Sequence, residues 1–212
     1  MTKFALCINR TSAPTEVQSA QCPALLPTSR DFFYALPTVL LDRALCETDE
    51  SKLQLLPYIT IVSPDNTIFV YRRGEGGGEQ RLHNNLSIGV GGHVDSSPPR
   101  KTGPGYDPLL EHLQIEAARE IDEELAINVH PKDLEFTHYI VDPTNPVGRV
   151  HLGLLGSYSL NQQQVEVIQL EANNIEDGQF VDLAYLTEVD VYNQLEPWSK
   201  LVVDYMVYKS IA

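Results

Sequence analysis

At 212 residues and 42% hydrophobic content, the chain can bury one good-sized core and is too apolar for a disordered protein. Its formal net charge of −14, with no compensating basic cluster, argues against binding a nucleic-acid duplex and requires any anionic substrate to be met by local cations. No run approaches the ~18 apolar residues of a membrane span, and Phe4–Ile8 is shorter than the apolar region of a signal peptide.

Residues 1–30 are rich in Ser, Thr, Pro and Gln and read as an irregular arm with a short strand near Phe4–Ile8. Cys7, Cys22 and Cys46 are scattered and odd in number, as expected of a reducing cytoplasm rather than of a disulfide frame. Asp31 ahead of Phe32, Phe33, Tyr34 and Leu36 looks like a capped helical turn, and Val39–Leu41 like another short element. The pattern sharpens at Pro57, which divides the chain into an N-terminal extension, 1–56, and a main domain, 57–212. Tyr58–Val62 and Thr67–Tyr71 are β-branched and aromatic runs around Ser63-Pro64-Asp65-Asn66, which predicts a hairpin. Gly74–Gly78 reads as a hairpin loop, because the Lys-Ser/Thr ending of a phosphate-binding loop is missing. Leu86–Val90 is strand-like and runs into Gly91-Gly92-His93-Val94-Asp95, after which the Pro- and Gly-rich stretch 96–108 is a surface loop.

Leu109–Ile127 has helical periodicity and is closed by Asn128 and Pro131. Strand-like runs follow at Glu135–Val141, Val150–Tyr158 and Phe180–Ala184, and Trp198–Ile211 ends the chain as an amphipathic helix. Strands on both sides of one internal helix, with a terminal helix, predict an α/β fold in which a mixed β-sheet is sandwiched between helices. For the extension, three roles stay open: completing the sheet, covering a pocket, or making a homodimer contact.

The internal helix concentrates charge. With Glu120 at zero on a wheel of ~100° per residue, Glu124 falls near ~40°, Glu116 near ~320° and Glu123 near ~300°, forming one acidic arc. Leu110, Leu113, Ala117, Ala118, Ile121 and Leu125 fill much of the adjoining arc, so the stripe borders a buried face. Glu116–Glu120 and Glu120–Glu124 are like-charge pairs costing ~0.2–0.5 kcal/mol each in a bare helix. Either Arg119 ties together a solvated acidic face, or a divalent cation reverses the penalty. Clustered carboxylates suit Mg²⁺ or Mn²⁺, which in turn bind phosphate oxygens.

Reading outward gives Gly105, five residues, Glu111, seven residues, then Arg119-Glu120-Ile121-x-Glu123-Glu124-x-Ala126-Ile127. This resembles the Nudix box, Gly-x5-Glu-x7-Arg-Glu-U-x-Glu-Glu-x-Gly-U, where U is a bulky aliphatic residue. Ala126 stands where the box has glycine, which suggests a slightly different helix exit but removes no reactive group. In the family the first glycine lies in a Gly-Gly pair at a strand end. Gly91-Gly92-His93 has that character, although Glu111 follows Gly92 by 19 positions (111 − 92). Gly92 is therefore read as the equivalent, residues 96–110 as containing an insertion, and the Gly105 match as coincidental. The run from Tyr71-Arg72-Arg73 through Gln80-Arg81-Leu82-His83 to Gly91-Gly92-His93 resembles a bacterial Nudix subgroup.

The resemblance implies an α/β/α Nudix sandwich and a pyrophosphohydrolase, a metal-dependent enzyme cleaving a phosphoanhydride bond in a nucleoside diphosphate linked to another moiety. It implies Mg²⁺ or Mn²⁺ on Glu120, Glu123, Glu124 and the Gly91 carbonyl, with Glu120, Glu124 and Arg119 as the catalytic group. Gly92, Glu111, Ile121 and Ile127 would be structural members of the box. The general base is Glu120 or a loop carboxylate among Glu166, Glu171, Glu176 and Asp177. Candidate contacts to a small-molecule diphosphate are His93, Arg72, Arg81 and His83, while Arg72 and Arg73 point oppositely and cannot share a pocket. An isopentenyl-diphosphate isomerase shares this fold but needs a cysteine, and none follows Cys46. The other alternative is a non-catalytic Nudix-fold sensor. Such modules often lose box glutamates, whereas this chain keeps them.

Overall fold

The computed structural model describes residues 3–28, 32–33, 36–74, 82–98, 107–171 and 174–211. In chain order the strands are β1 (Phe4–Asn9), β2 (Ala24–Pro27), β3 (Thr38–Asp42), β4 (Lys52–Val62), β5 (Ile68–Arg73), β6 (Leu86–Ser87), β7 (Gly89–Val90), β8 (Glu135–Val141), β9 (His151–Ser159) and β10 (Ile175–Val181). The helices are α1 (Thr15–Ser19), α2 (Arg43–Cys46), α3 (Pro108–Leu125), α4 (Gln162–Glu166), α5 (Leu183–Leu186), α6 (Val189–Gln194) and α7 (Pro197–Ile211). The class is the expected one, an α/β fold with a mixed sheet. None of the described helices is long and apolar enough to cross a membrane.

The residues group into two compact units that interleave along the sequence. The first comprises Met1–Tyr58, Gly91–Ala117 and Pro131–Gly156; the second comprises Ile59–Val90, Ala118–His130 and Ser157–Ala212. In the first unit β1 pairs antiparallel with β3, Cys7 opposite Val39, and with the start of β4, Ile8 opposite Leu53. β2 pairs antiparallel with β8, Leu25 opposite Ile140. Leu6, Ile8, Leu53, Leu55, Leu113 and Ile140 are almost free of solvent, each contributing roughly 1.5–3 kcal/mol on burial. The expected irregular arm thus contains two strands and a helix. Pro57 lies inside β4 rather than at its start, and its carbonyl runs so close to Gly91 that a Cβ there would sit 1.9 Å from the Pro57 oxygen. Only glycine fits this crossing.

In the second unit the predicted hairpin forms with Val62 opposite Ile68. Its turn closes on Ser63, whose N–H donates to Thr67 O at 2.9 Å and whose Oγ accepts from Asp65 N and Thr67 N. Asn66 supplies the left-handed residue, φ 60. β5 also pairs with β10 and β6, and the end of β4 with β7, all antiparallel. The last predicted strand is displaced: β10 covers Ile175–Val181, and Leu183–Leu186 is helical. Polar residues Glu176, Asp177 and Gln179, with a bulge between Glu176 and Gln179, mask its periodicity.

Helix α3 starts with Asp107, whose Oδ1 accepts from the N–H groups of Leu109 and Leu110 at 3.1 Å. Its buried residues are Leu109, His112, Leu113, Glu116, Ala117, Ala118, Ile121 and Leu125. Leu110, expected in the core, is only half-buried, and Leu109 takes its place. The buried face is therefore wider than the apolar residues alone indicate. It includes the ~40° position of Glu124, which lies between Leu113 and Ala117 on the wheel.

Candidate active site

The C-terminal turns of α3 place the box residues in the second unit. Arg119 bridges two of its carboxylates, with Nη2 2.6 Å from Glu120 Oε1 and Nη1 2.6 Å from Glu123 Oε2. These charge-assisted bonds fix the orientation of both carboxylates. Glu120 is largely buried and Glu123 half-exposed, with side-chain exposures of 14% and 52%. Ile121 and Ile127 are buried and hold this end of the helix in the core.

Glu124 differs from its neighbours. Its Oε2 is buried and has no hydrogen-bond partner. Burial pushes its pKa up to about 8, and the nearby charges of Glu120, Glu171 and Glu196 add to the rise, against the opposing effect of Arg73. A buried carboxylate in that company is costly unless protonated or given a cation. Hard divalent ions prefer carboxylate oxygens, so Glu120, Glu123 and Glu124 are of the right chemistry for Mg²⁺ or Mn²⁺, although among the described residues the donor atoms gathered within 4.8 Å of one another are those of Glu47, His93 and His151.

Two groups around Glu124, Glu196 and Tyr71, carried no distinct sequence signal. Glu196 is buried, with Oε1 accepting from Ser87 Oγ at 2.7 Å and Oε2 lying 3.4 Å from Arg73 Nη1. Its own N–H donates to Leu86 O at 2.9 Å, and Ser199 Oγ accepts from Ile88 N at 3.0 Å, so α7 is stitched to β6 and the residue after it. Tyr71 is fully buried and donates to Gly89 O at 2.8 Å, its pKa raised first by desolvation and then by Glu124. A lone acid ahead of Pro197 and the terminal helix was the available clue to Glu196, and a weak one.

Of the loop carboxylates, the structure brings Glu171 to the site, its N–H donating to Glu124 O at 2.9 Å. Glu166 is exposed at the end of α4, Glu176 is exposed on β10, and Asp177 is exposed 3.9 Å from Arg72 Nε. Arg72 also donates to Asn84 O and Gln194 Oε1, whereas its neighbour Arg73 faces Glu196. The alternation of strand side chains therefore holds, and Arg73 is the arginine beside Glu124. His83 is half-buried in the turn before β6, and Arg81 and Gly105 lie outside the described residues. Gly91, Gly92, His93 and Glu111 belong to the first unit, where His93 meets His151 and Glu111 donates its N–H to Asp107 O at 3.1 Å.

No family model matches the sequence. Tm1382, a candidate Nudix hydrolase of solved structure, superposes with a TM-score of 0.70 at 21% identity, covering 97% of this chain and 99% of its own. The Nudix domain of Shewanella oneidensis NrtR, solved with ADP ribose, gives a TM-score of 0.50 at 12% identity over 76% of this chain and 89% of that one. The fold is thus the Nudix fold. Protein YmaB of Bacillus subtilis is 38% identical over 164 residues, 76% of this chain and 75% of the relative. The chain therefore belongs to one family with YmaB, and it has the Nudix fold.

Proposed function

We propose that this protein is a metal-dependent hydrolase that cleaves a phosphoanhydride bond in a nucleoside diphosphate linked to another moiety. The observation that carries the reading is the orphaned Oε2 of Glu124, buried among further carboxylates on a helix with the Nudix spacing. Glu120, Glu123 and Glu124 would hold Mg²⁺ or Mn²⁺, which supplies positive charge for the diphosphate and activates a water. Arg119 keeps Glu120 and Glu123 turned to a common side. Glu120, fixed by that contact, accepts the proton of the attacking water, and Glu171, whose backbone N–H meets Glu124 O, is the second candidate for the same task. Arg73 is the cation positioned for a phosphate oxygen, and its contact with buried Glu196 holds it in place.

The test is product analysis on ADP-ribose and other nucleoside diphosphate sugars, dinucleoside polyphosphates, NADH and nucleoside triphosphates, with Mg²⁺ or Mn²⁺. Cleavage is expected for at least one class, and Glu120→Gln should lower kcat by roughly 10²–10⁴-fold. Glu124→Gln should abolish the metal-dependent cleavage. A silent panel, with ligand binding that survives both substitutions, would replace the hydrolase with a ligand sensor.

A further inference from the structure

In the first unit, Glu47, His93 and His151 bring one ligand atom each to within 4.8 Å of one another. They come from three separate segments, and each is held by buried neighbours. His151 opens β9 between buried Val150 and Leu152. His93 precedes buried Val94, whose carbonyl accepts from Leu6 N at 2.7 Å. Glu47 follows buried Cys46, and its N–H donates to Arg43 O at 3.0 Å.

The tautomer of His151 is set by its surroundings. Its Nδ1 lies 2.8 Å from the Val147 carbonyl, which only accepts, so Nδ1 carries a proton. In the neutral ring Nε2 then presents a lone pair. A backbone carbonyl on the far nitrogen is the arrangement that orients histidine ligands in metal sites. The Nε2 of His93 is 3.1 Å away, with the rings at 75°. Two imidazole nitrogens on one tetrahedral zinc, at ~2.0–2.1 Å each, lie about 3.3 Å apart. Glu47 Oε1 is 4.0 Å from His93 Nε2 and is steadied by Arg43 Nε at 3.1 Å.

We propose that Glu47, His93 and His151 form a binding site for a borderline divalent transition ion, with zinc the foremost candidate. Imidazole nitrogens suit such ions, while the all-oxygen set of Glu120, Glu123 and Glu124 suits Mg²⁺ or Mn²⁺. The chain therefore carries two donor sets of different hardness. Two histidines and one carboxylate also leave a fourth coordination position for water or a ligand.

The full chain, stripped of metal and kept near neutral pH with millimolar Mg²⁺, is titrated with Zn²⁺ against a chromogenic chelator, and with Co²⁺ followed by visible absorption. One Zn²⁺ per chain is expected in the wild type and equally in a Glu120→Gln/Glu124→Gln double variant. Affinity should drop at least ~10-fold in Glu47→Gln, His93→Gln and His151→Gln, and the Co²⁺ bands of a low-coordinate nitrogen site should vanish with it. Half-buried His93 provides the usable variant if His151→Gln fails to fold. Unchanged zinc affinity in His93→Gln, zinc binding lost in the box double variant, or no binding at all would each overturn the proposal and leave a hydrogen-bonded histidine pair. Because the readout is binding, it is independent of whether the protein hydrolyses anything.

Discussion

Glu116 and Glu124 lie about two turns apart on the buried face of one helix, yet the protein completes only the first. Ser96 Oγ donates to Glu116 Oε1 at 3.0 Å, and His112 Nε2 donates to the Ser96 carbonyl at 3.0 Å, forming a closed local network. Glu124 instead has an unpartnered Oε2, carboxylates at Glu120, Glu171 and Glu196, and Arg73 as the opposing charge. A closed network rigidifies a fold, whereas a buried carboxyl left without a partner is costly to ionise unless a cation answers it. Burial alone therefore does not separate structural from functional carboxylates on α3. If the proposed function is right, completion of their bonds does.

The largest effect expected from this contrast is a pH-dependent stability difference at Glu124. Its folded pKa, about 8, lies above the usual 4.5, so the folded state holds a proton that the unfolded chain releases in between. The stability contributed by that proton is fully present below about pH 4.5 and is lost as pH rises through about 8. In metal-free protein, Glu124→Gln should melt at nearly the wild-type temperature in mild acid and several degrees above it in mild base. Mg²⁺ or Mn²⁺ should invert the order by stabilising the wild type alone. Melting curves across this range, with and without chelator, decide the matter. A pH-independent gap between the two proteins would mean that Glu124 is completed after all.

At Glu116 the opposite is expected. Glu116→Ala removes the acceptor of the Ser96 hydroxyl and opens a buried gap, costing roughly 1–3 kcal/mol in denaturant unfolding. Metal-dependent turnover per folded molecule should survive. Loss of turnover with stability intact would move Glu116 into the active site and dissolve the contrast.

How much of this was legible depended on the range of the interactions involved. Helix α3 and the hairpin around Ser63–Asn66 are local structures, specified by periodicity and by turn chemistry, and both were readable. β2 was not, because it is a four-residue strand ending in Pro27 that forms by pairing with β8 more than a hundred positions away. The start of β4 was hidden behind Pro57, which ordinarily argues against a strand interior. On the helix, spacing picked out Arg119, Glu120, Glu123 and Glu124. The wheel put their stripe beside the core rather than partly inside it, because it weighed only apolar side chains, whereas Glu116 and the Oε2 of Glu124 are buried. Arg73, Glu171 and Glu196 meet Glu124 only through tertiary folding, so no spacing could announce them. The same holds for Glu47 and His151 beside His93.

The smallest expected effect comes at the end of the same helix. Ala126 occupies the box's second glycine position with φ 55, in the left-handed region, and its N–H donates to Asp122 O at 2.9 Å. The backbone thus leaves the helix as a glycine would, and the Cβ of Ala126 bears the strain, about 1–2 kcal/mol for an L-residue in that region. Ala126→Gly relieves this strain but gives the unfolded chain more freedom, which offsets about 0.4–1 kcal/mol. The net expectation is a gain of about 0.5–1 kcal/mol, or a Tm rise of a few degrees at most. Because Ala126 is exposed and lies beyond the bridged carboxylates, kcat should not change. A fall in stability would show that the helix exit is set by contacts of the Ala126 methyl group rather than by backbone geometry. A change in kcat at unchanged stability would show that this exit helps to aim Glu123 and Glu124.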